Sequence, residues 1–287
     1  MNNSLTIKEA GFIELDPWTD LKQYTDARIA LGRTGCSILT KDHLEFSLAH
    51  AKARDTIYQK FERERVSEQL RNMGLDTLYV TSQAENRNIF LKRPDMGRKL
   101  SDESRNKLKE LNYNGADVLL VIGDGLSSKA VNKQAVPLIK QFLPYMKELN
   151  LTVGPVVLAK GSRVALGDDI AECMHCKLVA TLIGERPGLS SPDSLGVYIT
   201  YKPYAGILES ERNCISNIRP EGLSYNKAAF KMAWLIETAF YIQKTGTALK
   251  DQSDDPTHYR ILKPHKGIKY KQRIYYQLII NTIRSKR

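Results

Sequence analysis

Apolar residues along this chain change rhythm near the middle. Over the first hundred or so positions they recur at helical spacing among charged neighbours. In "TKDHLEFSLAHAKARDTIYQKF", which starts at Thr40, Leu44, Leu48 and Ala51 fall on one helical face. Thr40 or Asp42 can cap that helix, and Glu45 follows Asp42 at capping-box distance. "FERERVSEQLRNMG" continues as helix to a stop at Gly74. "DTLYVTS" and "NIFLKR" read as short strands. Ser101 then caps "SDESRNKLKEL", where acids come first and lysines later, as the helix dipole favours.

After residue 115 the apolar positions bunch into continuous runs that end in glycine-rich turns. "ADVLLVIGDGL", "LTVGPVVLAKGSRV", "KLVATLIGERPG" and "GVYITYKP" predict four strands. Between them lie a long helix, "SSKAVNKQAVPLIKQFLPYMKEL", interrupted near Pro137 and Pro144, and a short one, "GDDIAECMHC". "SYNKAAFKMAWLIETAFYIQKTG" predicts a last helix, stopped by Gly246. Buried strands alternating with helices indicate a parallel sheet of βαβ units. The expected architecture is α/β: a mainly helical region over residues 1–100, a doubly wound domain with a mainly parallel sheet over 101–250, and an extension over 251–287.

Composition narrows the class. A chain of 287 residues with 42% hydrophobic content can build a substantial core. No apolar run approaches the roughly 20 residues that span a bilayer, and the acidic start "MNNSLTIKEAGFIELDPW" has no secretory pattern. Four scattered cysteines do not make a disulfide scaffold, so the expected setting is reducing and cytosolic. The net charge of +11 divides unevenly. Residues 251–287 carry +6 and have no acid after Asp255, while the remaining 250 residues carry +5. A mildly basic body argues against a dedicated nucleic-acid groove.

Candidate chemistry gathers at the strand ends, because ligands of open parallel sheets bind beyond the carboxyl ends of the strands. Three turns fall there: Gly123-Asp124-Gly125, Gly161-Ser162-Arg163-Val164 and Gly184-Glu185-Arg186-Pro187-Gly188. Gly-Asp-Gly reads equally as a plain strand-to-helix turn, with Asp or Ser capping the next helix. "GDGLSS" lacks the dinucleotide spacing, and no phosphate-loop motif is present. Cys173 and Cys176 have no second ligand pair at zinc-site spacing, so they read as packing residues. Cys214, flanked by Asn213, Ser216 and Asn217, reads as a ligand contact rather than a nucleophile, because no histidine lies near it in sequence.

The stretches "ARIALGRTG", "LAHAKARD", "LKRPDMGRKL", "VIGDGLSSKAV", "GSRVALGDDI", "LIGERPGLSSPDSLGVY" and "ERNCISNIRPEGLSY" together resemble the small (light) subunit of ethanolamine ammonia-lyase, from about residue 20 to about residue 250. The resemblance implies a helical front and a Rossmann-like back. It also implies adenosylcobalamin, a large catalytic subunit as partner in a hetero-oligomer, and conversion of ethanolamine to acetaldehyde and ammonia. Carried over by motif, the cofactor contacts are Val164, Glu185 and Cys214, with no catalytic residue on this chain. There is no D-x-H-x-x-G motif, so the cofactor is expected to keep its own dimethylbenzimidazole. In this family a longer leader can direct packaging into a bacterial microcompartment; the N-terminus here is short. The run "KPHKGIKYKQRIYYQLIINTIRSKR" at the end matches no motif of the family.

Two other classes remain open to the sequence. A stand-alone Rossmann-like nucleotide-binding protein would bind nucleotide as an isolated chain. A nucleic-acid binder working through the basic tail would show steep salt dependence.

Overall fold

The structure, a computed structural model, describes residues 13–259 and Leu262. The basic run from residue 263 onward lies outside the described residues. The chain opens with a small hairpin of β1 (Arg33–Thr34) and β2 (Ser37–Ile38), followed by α1 (Thr40–Tyr58) and α2 (Arg63–Arg71). Then come β3 (Thr77–Thr81), α3 (Arg87–Lys92), α4 (Asp102–Glu110), β4 (Val118–Gly123), α5 (Ser128–Glu148), β5 (Val156–Lys160) and α6 (Val164–Cys173). The last elements are β6 (Leu178–Gly184), β7 (Leu195–Tyr201), β8 (Asn213–Ile218) and α7 (Tyr225–Ile242).

Six strands form one mixed sheet in the order β3-β5-β4-β6-β7-β8. The first four are mutually parallel, while β7 runs antiparallel to both β6 and β8. Alternation along β4 explains the layering. Val118, Leu120 and Ile122 join a core shared with α2, α5 and α7. Leu119 and Val121 join a second core under α4 and α6. Because β5 and β6 flank β4 and their connecting helices lie on opposite faces, the sheet reverses its winding at β4.

The fold departs from the sequence expectations in several places. "NIFLKR" is helix α3 rather than a strand: the Asn86 side chain accepts from the Ile89 N–H at 3.0 Å and so starts a helix. α5 runs unbroken through Pro137 and Pro144, held by a buried stripe that includes Leu138, Ile139, Phe142 and Tyr145. The strand "GVYITYKP" is antiparallel, and "NCISNI" adds an edge strand, so the sheet is mixed. α1 begins at Thr40 after Leu39, with no side-chain cap. α7 ends at Gln243, which takes the left-handed conformation (φ 54°) before Gly246 is reached. β3, from the front of the chain, is an edge strand of the main sheet.

Past Asp251 the chain keeps packing on α7. Lys231 donates to Asp251 (3.1 Å), Ser253 (2.8 Å) and Asp254 (2.8 Å). Trp234 Nε1 donates to the His258 carbonyl at 3.1 Å, and the Tyr259 ring meets Phe230 edge-on. Among the described residues, no helix is long and apolar enough to cross a membrane.

Candidate functional site

At the carboxyl ends of the parallel strands the three glycine turns do converge, and they fill the space with protein. Asp124 is buried; its carboxylate accepts from the Gly161 N–H at 3.0 Å and the Ser162 N–H at 2.8 Å, which joins the ends of β4 and β5. Arg87 lies over this clasp, donating to the carbonyls of Ile57 (2.7 Å), Gly125 (2.7 Å) and Leu126 (3.1 Å). Burial raises the Asp124 carboxyl and lowers the Arg87 guanidinium. Gly125 has φ +56°, and a Cβ there would meet the Gly184 carbonyl at 2.2 Å. A Cβ on Gly184 would meet the Ser127 carbonyl at 2.0 Å, so this glycine is needed for chain packing. Ser127, not Asp124, caps α5, accepting from the Ala130 N–H at 3.1 Å and donating to the Pro192 carbonyl at 2.9 Å. The turns at the reversal point of the sheet thus pack on one another, with Asp124 buried among them.

Open surface appears instead on the sheet face past α6. α6 covers the parallel strands and reaches the end of β7, where Asp168 bonds the buried Thr200, whereas α7 packs under β7 and β8 through Val197, Ile199, Ile215 and Ile218. By alternation the intervening residues Tyr198, Cys214 and Ser216 point to the other, uncovered face. Tyr198 and Cys214 are register partners. Glu185, just past β6, folds back over β7 onto this face. Its carboxylate accepts hydrogen bonds from Ser194, from Ser216 Oγ at 2.5 Å and from the Asn217 N–H at 3.3 Å. Gly196 makes room, since a Cβ there would stand 2.9 Å from Glu185 Oε1. The far half of the loop is tied to α5: Lys133 Nζ reaches Asp193 at 2.8 Å and Gln134 donates to the Asp193 carbonyl at 3.2 Å.

The structure therefore brings Glu185 and Cys214 onto one face and sets Val164 apart, as the half-buried first residue of α6 at the end of β5. Burial and the Cys214 thiol hold the Tyr198 hydroxyl well above its ordinary value, so it stays protonated and can donate. Cys214 is exposed as a residue, but partial desolvation of its sulfur keeps the thiol raised even against a hydrogen bond from Tyr198. A raised thiol is a poor nucleophile. Asn213 and Asn217, able by type to hydrogen-bond a ligand, bond within the chain instead. Asn213 Nδ2 donates to the Leu249 carbonyl at 2.7 Å and its Oδ1 accepts from the Gly246 N–H at 2.8 Å. Asn217 holds a left-handed turn (φ 59°) and accepts from Arg219 Nε at 3.0 Å. Sequence reasoning missed Tyr198, Ser194 and Gly196; the alternation of "GVYITY" was the signal for Tyr198. Cys176 is buried, Cys173 accepts from Arg105 at 3.3 Å, and burial raises both thiols, opposite to what a thiolate ligand needs.

Comparison with known proteins bears directly on this face. The family model described as ethanolamine ammonia-lyase light chain matches residues 15–250. The chain belongs to the ethanolamine ammonia-lyase light-chain family. It is 48% identical over 234 residues to the "Ethanolamine ammonia-lyase small subunit" of Rhodopseudomonas palustris (strain BisA53), covering 82% of this chain and 90% of the relative. It is 45% identical over 245 residues to the protein of the same name from Pseudomonas fluorescens (strain Pf0-1), covering 84% and 89%. It is 43% identical over 242 residues to that from Azotobacter vinelandii, covering 83% and 90%. The light-chain match includes β1 to α7, so the clasp at the switch point and the open face both lie within the family's own region.

Proposed function

We propose that this chain is the small subunit of an adenosylcobalamin-dependent ethanolamine ammonia-lyase, and that its open sheet face holds the corrinoid against the large subunit. The parallel strands with helices on both faces form the Rossmann-like part of this reading. The observation that supports it most is the chemistry of the face: in a chain of this family, Glu185, Tyr198, Cys214 and Ser216 form a shallow, hydrogen-bonding surface. Such a surface suits a large ligand fringed with amide groups better than a charged pocket does.

When bound, adenosylcobalamin supplies the radical chemistry that turns ethanolamine into acetaldehyde and ammonia. This chain's residues bind and orient. Glu185 makes three hydrogen bonds within the protein, which fix its carboxylate and leave one acceptor position of about four for an amide N–H. The Tyr198 hydroxyl, whose proton goes to the Cys214 sulfur, presents an acceptor on the same face. Val164 offers an apolar edge. Tyr198 and Cys214 both keep their protons at neutral pH, so neither serves as a base, and in this reading the proton steps belong to the large subunit.

The large subunit needs a surface to grip, and the N-terminal segment supplies one. Trp18, Tyr24, Leu44 and Leu48 are each more than half exposed. An apolar surface of this extent is characteristic of an interface.

The test is to assemble the chain with its large subunit and titrate adenosylcobalamin by absorbance. The assembled complex should release acetaldehyde from ethanolamine, and the chain alone should release none. Glu185→Ala should weaken cofactor retention about ten- to a hundred-fold with the circular dichroism spectrum unchanged. Unchanged retention in that variant, or turnover by the isolated chain, would overturn the reading.

A further inference from the structure

The stretch "LKRPDMGRKL" places two cations, Arg98 and Lys99, at the outer flank of α6, beside Glu209, whose charge also reaches the Tyr198 hydroxyl of the sheet face. There a cavity of about 660 Å³ lies between α4, α6 and the loop before β8. Ala165, Ile207 and Leu208 give it apolar walls, and Arg98 and Lys99 stand on its rim. Two carboxylates also line it, and both are engaged. Asp169 is gripped by Arg105 Nη2 at 2.8 and 2.7 Å and accepts from the Leu100 N–H at 2.8 Å. Glu209 lies 2.8 Å from Arg212 Nη1. Among the described residues, no carboxylate pairs with Arg98 or Lys99.

Behind the rim the positive charge is crowded further. Arg163 stacks 4.2 Å from the centre of the Phe90 ring and Arg87 lies 4.7 Å from the same centre. Arg163 Nη2 donates to the Phe90 carbonyl at 3.1 Å, but its Nε is buried with no hydrogen-bond partner. Burial first, then the fields of Arg87 and Arg98, lower the Arg163 guanidinium. The one carboxylate of this group, Asp124, already serves two backbone N–H groups. The fields of Arg87 and Arg98 on Arg163 exceed that of Asp124, which lies 3.9 Å from Arg87, and an anion would relieve that repulsion. Arg163 immediately precedes α6, so the positive end of the helix dipole adds to the same field.

We propose that this cavity is an anion subsite for a phosphodiester, namely the one that links the corrinoid to its nucleotide arm, with Arg98 and Lys99 as the contacting cations and Arg163 as the charge behind them. This rests on the corrinoid reading of the adjoining Glu185 face. The apolar walls take the uncharged part of the arm, and the rim takes the phosphate. Free inorganic phosphate shares the chemistry and is the competing source.

The experiment uses the assembled complex and equilibrium binding of two corrinoids, cobinamide and cobinamide phosphate, which differ by the phosphate. The wild-type complex should hold cobinamide phosphate about tenfold tighter than cobinamide. Arg98→Ala with Lys99→Ala should erase most of that gap and leave cobinamide affinity as it was. Glu185→Ala should weaken both corrinoids alike and preserve the gap. Arg98→Gln with Lys99→Gln, monitored by circular dichroism, repeats the test with side-chain bulk retained. Inorganic phosphate should compete with cobinamide phosphate in the wild type and not in the double variants. A gap that survives both double variants overturns the proposal. So does phosphate binding at these residues when the wild type does not discriminate between the corrinoids, which would make this a free-phosphate site. Binding of both corrinoids with no gap overturns this subsite alone, whereas binding of neither overturns the corrinoid reading and this subsite with it.

Discussion

Residues 13–58 and the body that follows carry similar sequence patterns to opposite ends. In the body, apolar residues at helical or strand spacing are core: α5 buries Leu138, Ile139, Phe142 and Tyr145, and α7 buries Phe230, Trp234, Leu235 and Ile236. In α1, Leu44 and Leu48 keep the same spacing yet are 61% and 55% exposed. Among the described residues, eleven of the fifteen exposed large apolar side chains lie between Ile13 and Tyr58, in about a fifth of that length. An isolated subunit would not be stabilised by that arrangement, because burial of those side chains is where their free energy lies. Periodicity reports which face a helix must cover; it does not say whether the cover comes from the same chain.

The sharpest way to test the contrast is through charge pairs. Arg212 and Asp168 in the body are 1% and 2% exposed as side chains, joined by bonds of 2.7 and 3.0 Å. They tie the start of β8 to α6. Lys41 and Glu45 on α1 are 3.9 Å apart and 81% and 62% exposed. Arg212→Ala leaves a buried carboxylate without its partner and should cost about 3–5 kcal/mol. Lys41→Ala should change stability by less than about 0.5 kcal/mol. Urea unfolding of the isolated chain reads both. Similar losses in the two variants would mean that the front of the chain is as tightly integrated as the body.

The same contrast explains what the sequence made legible. β4, β5 and β6 are buried on both faces, so their apolar runs stand out, and Ser101 and Ser127 mark helix starts where their hydroxyls do cap. β8 was hidden because its two buried residues, Ile215 and Ile218, fall three apart across a register shift rather than alternating. β7 was visible as a strand but not in its direction, since a ten-residue loop (185–194) serves an antiparallel return as well as a crossover. At the candidate site the glycine turns were found, but their use was not. Whether Gly184 approaches a ligand or the Ser127 carbonyl depends on contacts between residues far apart in sequence. The repeated carboxylates of Asp124 and Glu185 gave no sign that their first partners are this chain's own N–H and O–H groups.

A middle-sized effect belongs to the amino end of the sheet. Asp117 accepts from the Thr152 N–H (2.9 Å), Thr152 Oγ1 (2.7 Å) and Lys177 Nζ (2.9 Å), joining the segments before β4, β5 and β6. Burial pushes its carboxyl up, but the hydrogen bonds from Lys177 and Thr152 outweigh this and hold it below its ordinary value of 3.8. A depressed carboxyl contributes stability above the unfolded value and loses it as pH falls through the folded one. Asp117→Asn should therefore cost about 1–2 kcal/mol at pH 7, and the difference from the parent should shrink as pH falls below 3.8. Denaturant midpoints measured across that range check the sign; a gap that widens on acidification would contradict it.

The smallest effect on stability should come with a clear effect on assembly. Leu44→Ser with Leu48→Ser removes two branched side chains from α1, where only Ala53 and Thr56 are buried. A core pair treated in this way would lose several kcal/mol, but side chains already in water lose little burial, and exposed substitutions usually stay within about 0.5 kcal/mol. The isolated chain should therefore unfold at an almost unchanged denaturant midpoint. If the large subunit covers this face, each leucine gives up roughly 1.5–3 kcal/mol of burial when it is replaced. Even partial coverage of the pair then predicts at least about tenfold weaker association. Sedimentation or calorimetric titration with the large subunit measures it. Unchanged association would show that α1 faces solvent in the complex too, and that the partner docks elsewhere; a large drop in the isolated chain's stability would show that α1 already packs more firmly on the body than its exposure indicates.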